Sequence, residues 1–393
     1  MPMMLGSDVL FDRQLLRGRT VGIVCNPASI DAGFRHVLQR AEEAGVAVGA
    51  IFGPQHGLQS NLQDNMIESP HVEDARRRVP VYSLYSETRE PTAAMLAGLD
   101  ALVIDLQDVG TRIYTYIYTM ANCLRAGARH GLPIVVCDRP NPIGGLTVEG
   151  PMLVPGYESF IGQFPIPMRH GMTIGELARL FNEHFGIGAK LEVVAMAGWR
   201  RDQYFDETGL PWVLPSPNLP TLASAVVYPG TVLFEGTNIS EGRGTTKPFE
   251  LVGAPWVTDP DTLAASLNAV NLPGVHFRAH TFEPTFQKHA RTSCGGVQIH
   301  VTDRRVFPAV ETGVVVLDQF RRAGIADFAW REPPYEYEYE KLPIDILSGS
   351  SRLRLALEAG VSPHALAEEW RADVAPFLSV RERFLLYRGG APE

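Results

Sequence analysis

Several short polar strings interrupt an otherwise apolar chain, and their residue types are those of acid–base or sugar-recognition chemistry. GPQHG holds Gln55 and His56 between glycines that permit a tight turn; the alternative is a plain turn with an exposed histidine. DLQDVGTRIYTY supplies Asp105, Gln107, Asp108, Arg112 and Tyr114 at the end of an apolar run. Polar groups there are costly unless they pair or face a ligand, so a structural Asp–Arg pair is the competing reading. CDRPNPIGG presents Asp138, Arg139 and Asn141 on a loop stiffened by prolines. Carboxylates accept from sugar hydroxyls and guanidinium forks onto carboxylates, although an Asx-capped turn would also use these residues.

RHGMT places Arg169 and His170 just before a helix whose N-terminus favours anions, unless the histidine is structural. EGTNISEGRG is the densest polar string: Glu235, Asn238, Glu241 and Arg243 lie among glycines and cannot form a core, which leaves a site loop or a solvated surface. Asn218, between prolines in PSPNLPT, either reaches a ligand or caps the next helix; Asn26 lies in CNPAS.

The elements that must position these strings alternate. TVGIVCNPAS, VAVGAIFGPQHG, VPVYSLYSE, ALVIDLQDVG, LPIVVCDRPNP and KLEVVAMAGW read as strands, and FRHVLQRAEEAG, PTAAMLAGL, YIYTMANCLRAGARHG and MTIGELARLFNEHFG as helices, the last with a Thr173/Glu176 capping box. Continuous apolar strands between amphipathic helices predict an α/β, Rossmann-like, mostly parallel sheet. The polar strings follow the apolar cores of their strands, so they gather at the carboxyl edge, where open α/β sheets bind ligands. From about Pro211 the texture changes to α+β, which predicts a first domain over 1–230 and a smaller one over 231–393, with the site in the cleft between them. Within the second, PPYEYEYEKLP reads as an extended segment and the terminal helix is expected to break at Pro376.

At 393 residues the chain exceeds one ordinary core. Acidic residues outnumber basic ones, 44 to 35, giving a net charge of −9 that argues against nucleic acid as a partner. No apolar run approaches the roughly 18–20 residues of a membrane span, and the start of the chain lacks a signal-peptide pattern, so no membrane partner and a cytoplasmic location are expected. Four dispersed cysteines read as buried free thiols. With no G-x-G-x-x-G, no P-loop and no metal-ligand spacing, neither a cofactor nor a metal is expected; no G-x-S-x-G marks a serine hydrolase.

Together GPQHG, PVYSLYSETREPT, DLQDVGTRIYTYIYTM, DRPNPIGG, RHGMTIGELA, PSPNLPT and YPGTVLFEGTNISEGRGTTKPFE resemble the NamZ-type exo-β-N-acetylmuramidases, glycoside hydrolase family 171. The resemblance runs from about Val21 to Phe249 and continues more loosely through GGVQIHVTD and IDILSGS. It implies a Rossmann-like domain joined to a smaller one, a small-molecule sugar substrate, and release of terminal N-acetylmuramic acid from peptidoglycan fragments in cell-wall turnover. Many members carry glutamate in a GPEHG string, and here Gln55 takes that place. An amide cannot donate a proton as a carboxylic acid does. Glu87 is therefore the first candidate for the replacement acid, with Glu241 and Asp105 behind it, while Arg139, Arg169 or Arg243 would hold the lactyl carboxylate. A non-catalytic amino-sugar-binding protein and a hydrolase of a different glycoside are the alternative readings.

Overall fold

The computed structural model describes residues 3–64, 66–324 and 326–387. The strands are β1 (Thr20–Val24), β2 (Ala47–Gly53), β3 (Val72–Asp74), β4 (Val79–Ser83), β5 (Ala101–Ile104), β6 (Ile134–Cys137), β7 (Glu149–Met152), β8 (Pro167–Arg169), β9 (Leu191–Val194), β10 (Leu251–Ala254), β11 (Val275–Phe282) and β12 (Cys294–Val301). Seven form the main sheet in the order β3-β4-β2-β1-β5-β6-β9, parallel except for the short edge strand β3. The other six are the strands expected from the sequence. Their alternate residues feed two separate cores: Val24, Phe52, Ile104 and Val136 point to one face, and Ile23, Ile51, Val103 and Val135 to the other.

A three-stranded antiparallel sheet, β10-β12-β11, carries the second half, with helix Pro260–Ala269 against it and helix Ala309–Ala323 packed on that helix. The two halves do not have separate interiors. The larger apolar cluster runs without a break from Val24 through Phe234 and Val316 to Phe384. Helix Leu222–Thr231, in which residue 230 lies, crosses helix Ala309–Ala323 at two glycines. A Cβ on Gly230 would sit 2.0 Å from the Ala309 carbonyl oxygen, and one on Gly313 would sit 2.4 Å from Gly230. Any larger residue at this crossing pushes the helices apart.

Two expectations change. Helix Pro363–Glu382 runs through Pro376 unbroken, because Trp370, Val374 and Phe377 are buried on both sides of the proline and their packing offsets the roughly 3 kcal/mol it costs. PPYEYEYEKLP is not simply extended: Tyr335 and Glu338 exchange both backbone hydrogen bonds at 2.9 Å, closing a two-residue turn around Glu336 and Tyr337. The Thr173/Glu176 capping box forms, and all four cysteines are buried and unpaired. No helix among the described residues is long and apolar enough to cross a membrane.

Candidate active site

At the carboxyl edge of the main sheet most of the polar strings are consumed in structure. Strand order reverses at β1 and β5, the position where such sheets usually bind ligand. Here that crevice is filled by the buried pair of Arg139 and Asp105, bonded at 2.5 and 2.8 Å, with Ser29 donating to the Asp105 carbonyl. Asp138 accepts from the Thr173 hydroxyl, the Gly175 and Arg139 amides and the Tyr387 hydroxyl, so it caps helix Ile174–Arg179. Burial, with the charge of Glu176, pushes it up to about 7.

The remaining candidates outside the cavity are spent in the same way. Arg169 pairs with Glu149 at 2.7 Å, and Asn141 bonds the Met172 carbonyl. Gln107 donates to the carbonyls of Asp108 and Pro140, and His170 faces Asp108 at 3.2 Å. Arg112 is fully buried and clamps the carbonyls of Pro151, Ile166 and Leu347. Asn26 orients Tyr116, and Asn238 staples the segment at Asp327 and Ala329. None of these lines the cavity described next, and each side chain has at least one partner inside the fold, although Gln107 Oε1, Asp108 Oδ1 and the Nε atoms of Arg112 and Arg169 are buried without one.

A different group does converge. Gln55, His56, Tyr114, Asn218, Glu235 and Arg243 line one cavity, joined by residues that the sequence did not single out: Thr115, Tyr116, Ser216, Tyr228, Phe249, Tyr335 and Glu336. The loop after β2, the loop after β5 and the start of helix Tyr116–His130 form one wall. Helix Leu222–Thr231, the EGTNISEGRG loop and the 335–338 turn form the other. The space is narrow, about 40 Å3 against the roughly 300–1,000 Å3 of a small-molecule site, so its walls must part to admit a sugar ring. A larger groove of about 700 Å3 lies along the same helix, but there Glu250 and Asp206 are neutralised by Lys247 and Arg304.

The focus of the cavity is Glu336. The Gln55 amide donates to its Oε1 at 3.3 Å and the Tyr85 hydroxyl to its Oε2 at 2.8 Å, while Thr115 donates to Gln55 Oε1 and leaves the amide nitrogen for Glu336. Burial pushes Glu336 up to about 7, and the charge of Glu235 adds to the shift against the Tyr85 bond. Glu336 (φ +45°) and Tyr337 (φ +67°) are the central residues of the turn, where Asn-Gly is the usual choice. A side chain held in this region costs about 1–2 kcal/mol per residue, and strain of this kind gathers at functional sites.

Glu235 is held differently. Arg243 reaches it at 2.8 Å and the Tyr335 hydroxyl donates to it at 2.5 Å. The same guanidinium nitrogen bonds Glu241, which also receives Lys288 at 2.7 Å. Burial alone would raise Glu241, but Lys288 and Arg243 outweigh it and hold the carboxyl at about 2. Glu241 therefore cannot serve as a proton donor near neutrality. His56 donates from Nδ1 to the Leu62 carbonyl, and burial pushes it down to about 4, which leaves a neutral ring with Nε2 as acceptor.

The three expected acids are thereby corrected. Glu87 is exposed and lines no part of the cavity. Asp105 is locked to Arg139, and Glu241 stands behind Arg243 as its counter-ion. Arg139 and Arg169 lie outside the cavity, and Arg243 reaches it already bonded to two carboxylates. The signal that could have revealed Glu336 is a carboxylate between two tyrosines in YEYEYE, since aromatic rings beside an acid suit a sugar. Among the described residues no cluster of His, Cys, Asp and Glu could hold a metal ion.

Comparison with known proteins adds an independent line. Family models described as exo-β-N-acetylmuramidase NamZ, N-terminal and C-terminal, match residues 21–223 and 226–387. The peptidoglycan β-N-acetylmuramidase NamZ of Bacillus subtilis (strain 168) is 46% identical over 385 residues, covering 97% of this chain and 91% of that protein. Two crystal structures of DUF1343 family proteins from Bacteroides fragilis share the fold. One has a TM-score of 0.88 at 33% identity, covering 98% of this chain and 99% of that one. The other has 0.76 at 28%, covering 99% and 100%.

Proposed function

The chain belongs to the exo-β-N-acetylmuramidase NamZ family, and from that premise we propose that it is a glycosidase releasing terminal β-linked N-acetylmuramic acid from peptidoglycan fragments, with Glu336 as its general acid. The observation that carries the assignment is the contact between Gln55 and Glu336. At the place where many relatives have a GPEHG glutamate this chain has an amide, and that amide faces a carboxyl from the other half of the molecule. A carboxyl near 7 is protonated for a large fraction of the time at neutral pH and can give its proton to a leaving oxygen.

Glu235 supplies the second carboxylate that glycoside hydrolysis requires. Fixed by Arg243 and Tyr335, it stabilises the positive charge that develops on the sugar. The bond from C1 to the bridging oxygen breaks with its electron pair going to oxygen, which takes the Glu336 proton. A water oxygen then bonds C1 and its surplus proton passes to the Glu336 carboxylate, which restores the acid. Tyrosines 114, 116 and 228 form walls suited to a pyranose, and His56 Nε2 accepts from one of its hydroxyls.

Charge balance permits an anionic substrate. Arg243 and Lys288 are matched by Glu235 and Glu241, so a protonated Glu336 leaves the cluster neutral. The lactyl carboxylate that distinguishes muramic acid then meets no net repulsion, whereas an ionised Glu336 would oppose it. The test is incubation with a chromogenic β-glycoside of N-acetylmuramic acid and with its disaccharide to N-acetylglucosamine. Release of N-acetylmuramic acid from both is expected, and no release from either at high enzyme concentration overturns the reading.

A further inference from the structure

A general acid protonates the bridging oxygen, so whatever lies beyond that oxygen must pass Glu336 on its way to solvent. The residues reached in that direction are aromatic. Tyr85, whose hydroxyl bonds Glu336, is itself fully buried. Its ring packs against Phe160 at 5.4 Å between centroids and against Tyr337 at 5.8 Å, and Phe160 and Tyr337 meet at 6.2 Å and 89°. Unlike Tyr85, these two are only partly covered. Arg89 lies over Tyr337 with its guanidinium carbon 3.5 Å from the ring centroid, and Glu68 accepts from the Tyr337 hydroxyl at 3.0 Å while lying 3.5 Å from Arg89.

Phe160 and Tyr337 are partly exposed rings, the position of Tyr337 is fixed by the strained turn that also carries the acid, and the rim is a charged pair able to exchange hydrogen bonds. Together they are what a pyranose bearing an acetamido group requires: rings for its apolar face, a donor and an acceptor for its edge.

We propose that Phe160, Tyr337, Arg89 and Glu68 form the binding site for the leaving-group sugar, a neutral N-acetylhexosamine, outside the cavity that takes the muramic ring. The rings hold the leaving sugar so that its bridging oxygen rests against Glu336, and Arg89 braces Tyr337 from behind. The site rests on the muramidase reading for its place in the reaction, but its ligand is bound whether or not turnover occurs.

Binding of each product alone separates the two. N-acetylglucosamine and N-acetylmuramic acid are titrated by saturation-transfer NMR into the wild-type protein and into Phe160→Ala, Tyr337→Ala and Arg89→Met. Phe160→Ala and Tyr337→Ala are expected to weaken N-acetylglucosamine at least tenfold and N-acetylmuramic acid less than threefold, with Arg89→Met intermediate. Phe160 is outside the turn, so its variant reads the site even where Tyr337→Ala disturbs Glu336. N-acetylglucosamine bound equally by the wild type and Phe160→Ala, or bound by neither, overturns the proposal. Failure of N-acetylmuramic acid to bind the wild type sinks the muramidase reading instead.

Discussion

The carboxyl edge of the parallel sheet and the 335–338 turn are both rich in carboxylates, but the two regions treat them in opposite ways. At the sheet edge Asp105 has both oxygens on Arg139, and Asp138, although burial and Glu176 raise it to about 7, has its two oxygens taken by four donors. At the turn, Glu336 has only two neutral donors and a carboxylate for a neighbour. Complete pairing with a cation turns an acid into a structural ion. Burial beside neutral donors and a like charge raises both Asp138 and Glu336, but only Glu336 lines the cavity, where its proton is within reach of a ligand.

The sharpest way to break this contrast is to remove each acid in turn. Glu336→Gln is expected to lower kcat on the disaccharide by about a thousandfold or more, the upper part of the range for a lost general acid. Its thermal midpoint at pH 8 should rise, because the amide no longer has to be ionised in a buried site, a gain of roughly 1–3 kcal/mol. The sign follows from a folded value raised above the unfolded one: the carboxyl favours the folded state below about pH 4, and that contribution is lost as pH climbs to about 7. Asp105→Asn should do the reverse. Leaving Arg139 uncompensated costs about 3–5 kcal/mol in urea unfolding, while kcat per folded molecule stays within a fewfold. A thousandfold loss of kcat at unchanged stability would invert the comparison.

Smaller effects sharpen it. In a pH–rate profile, kcat/KM should be level below about pH 7 on its alkaline side and fall tenfold per unit above it, as Glu336 loses its proton. Gln55→Glu brings a second carboxyl against Glu336 and should move that limb upward by about one unit. Tyr335→Phe removes one donor from Glu235 and should cost about tenfold in kcat, the scale of one hydrogen bond to a charge. Glu87→Gln should leave kcat within twofold, since its carboxylate stands in solvent.

The architecture was legible because it is written in local periodicity. Apolar runs of strand length, the Thr173 cap and glycine stops each declare themselves within a few residues. The loops that hold Gln55, His56 and Tyr114 were legible for the same reason, since polar strings after apolar runs mark the sheet edge, and Glu235 stood out by the density of polar residues that follow it. What stayed hidden depends on distant partners. Asp105 finds Arg139 across 34 positions, and Gln55 finds Glu336 across 281. A turn whose central residues are Glu and Tyr also hides itself, because its geometry normally announces itself through Asn-Gly. PPYEYEYEKLP read only as an extended segment, and nothing local could say that Glu336 faces the amide of GPQHG.

The residues of one wall have been made once the chain has passed Tyr116, but the acid lies some 220 residues further on, beyond the strands and helices of the second half. At a synthesis rate of about 5–20 residues per second, roughly ten to forty seconds separate the two events on the ribosome. The nascent chain is thus unarmed until its second half has been made and docked, and a fragment that stops short of the turn has the loops of one wall but no proton to give.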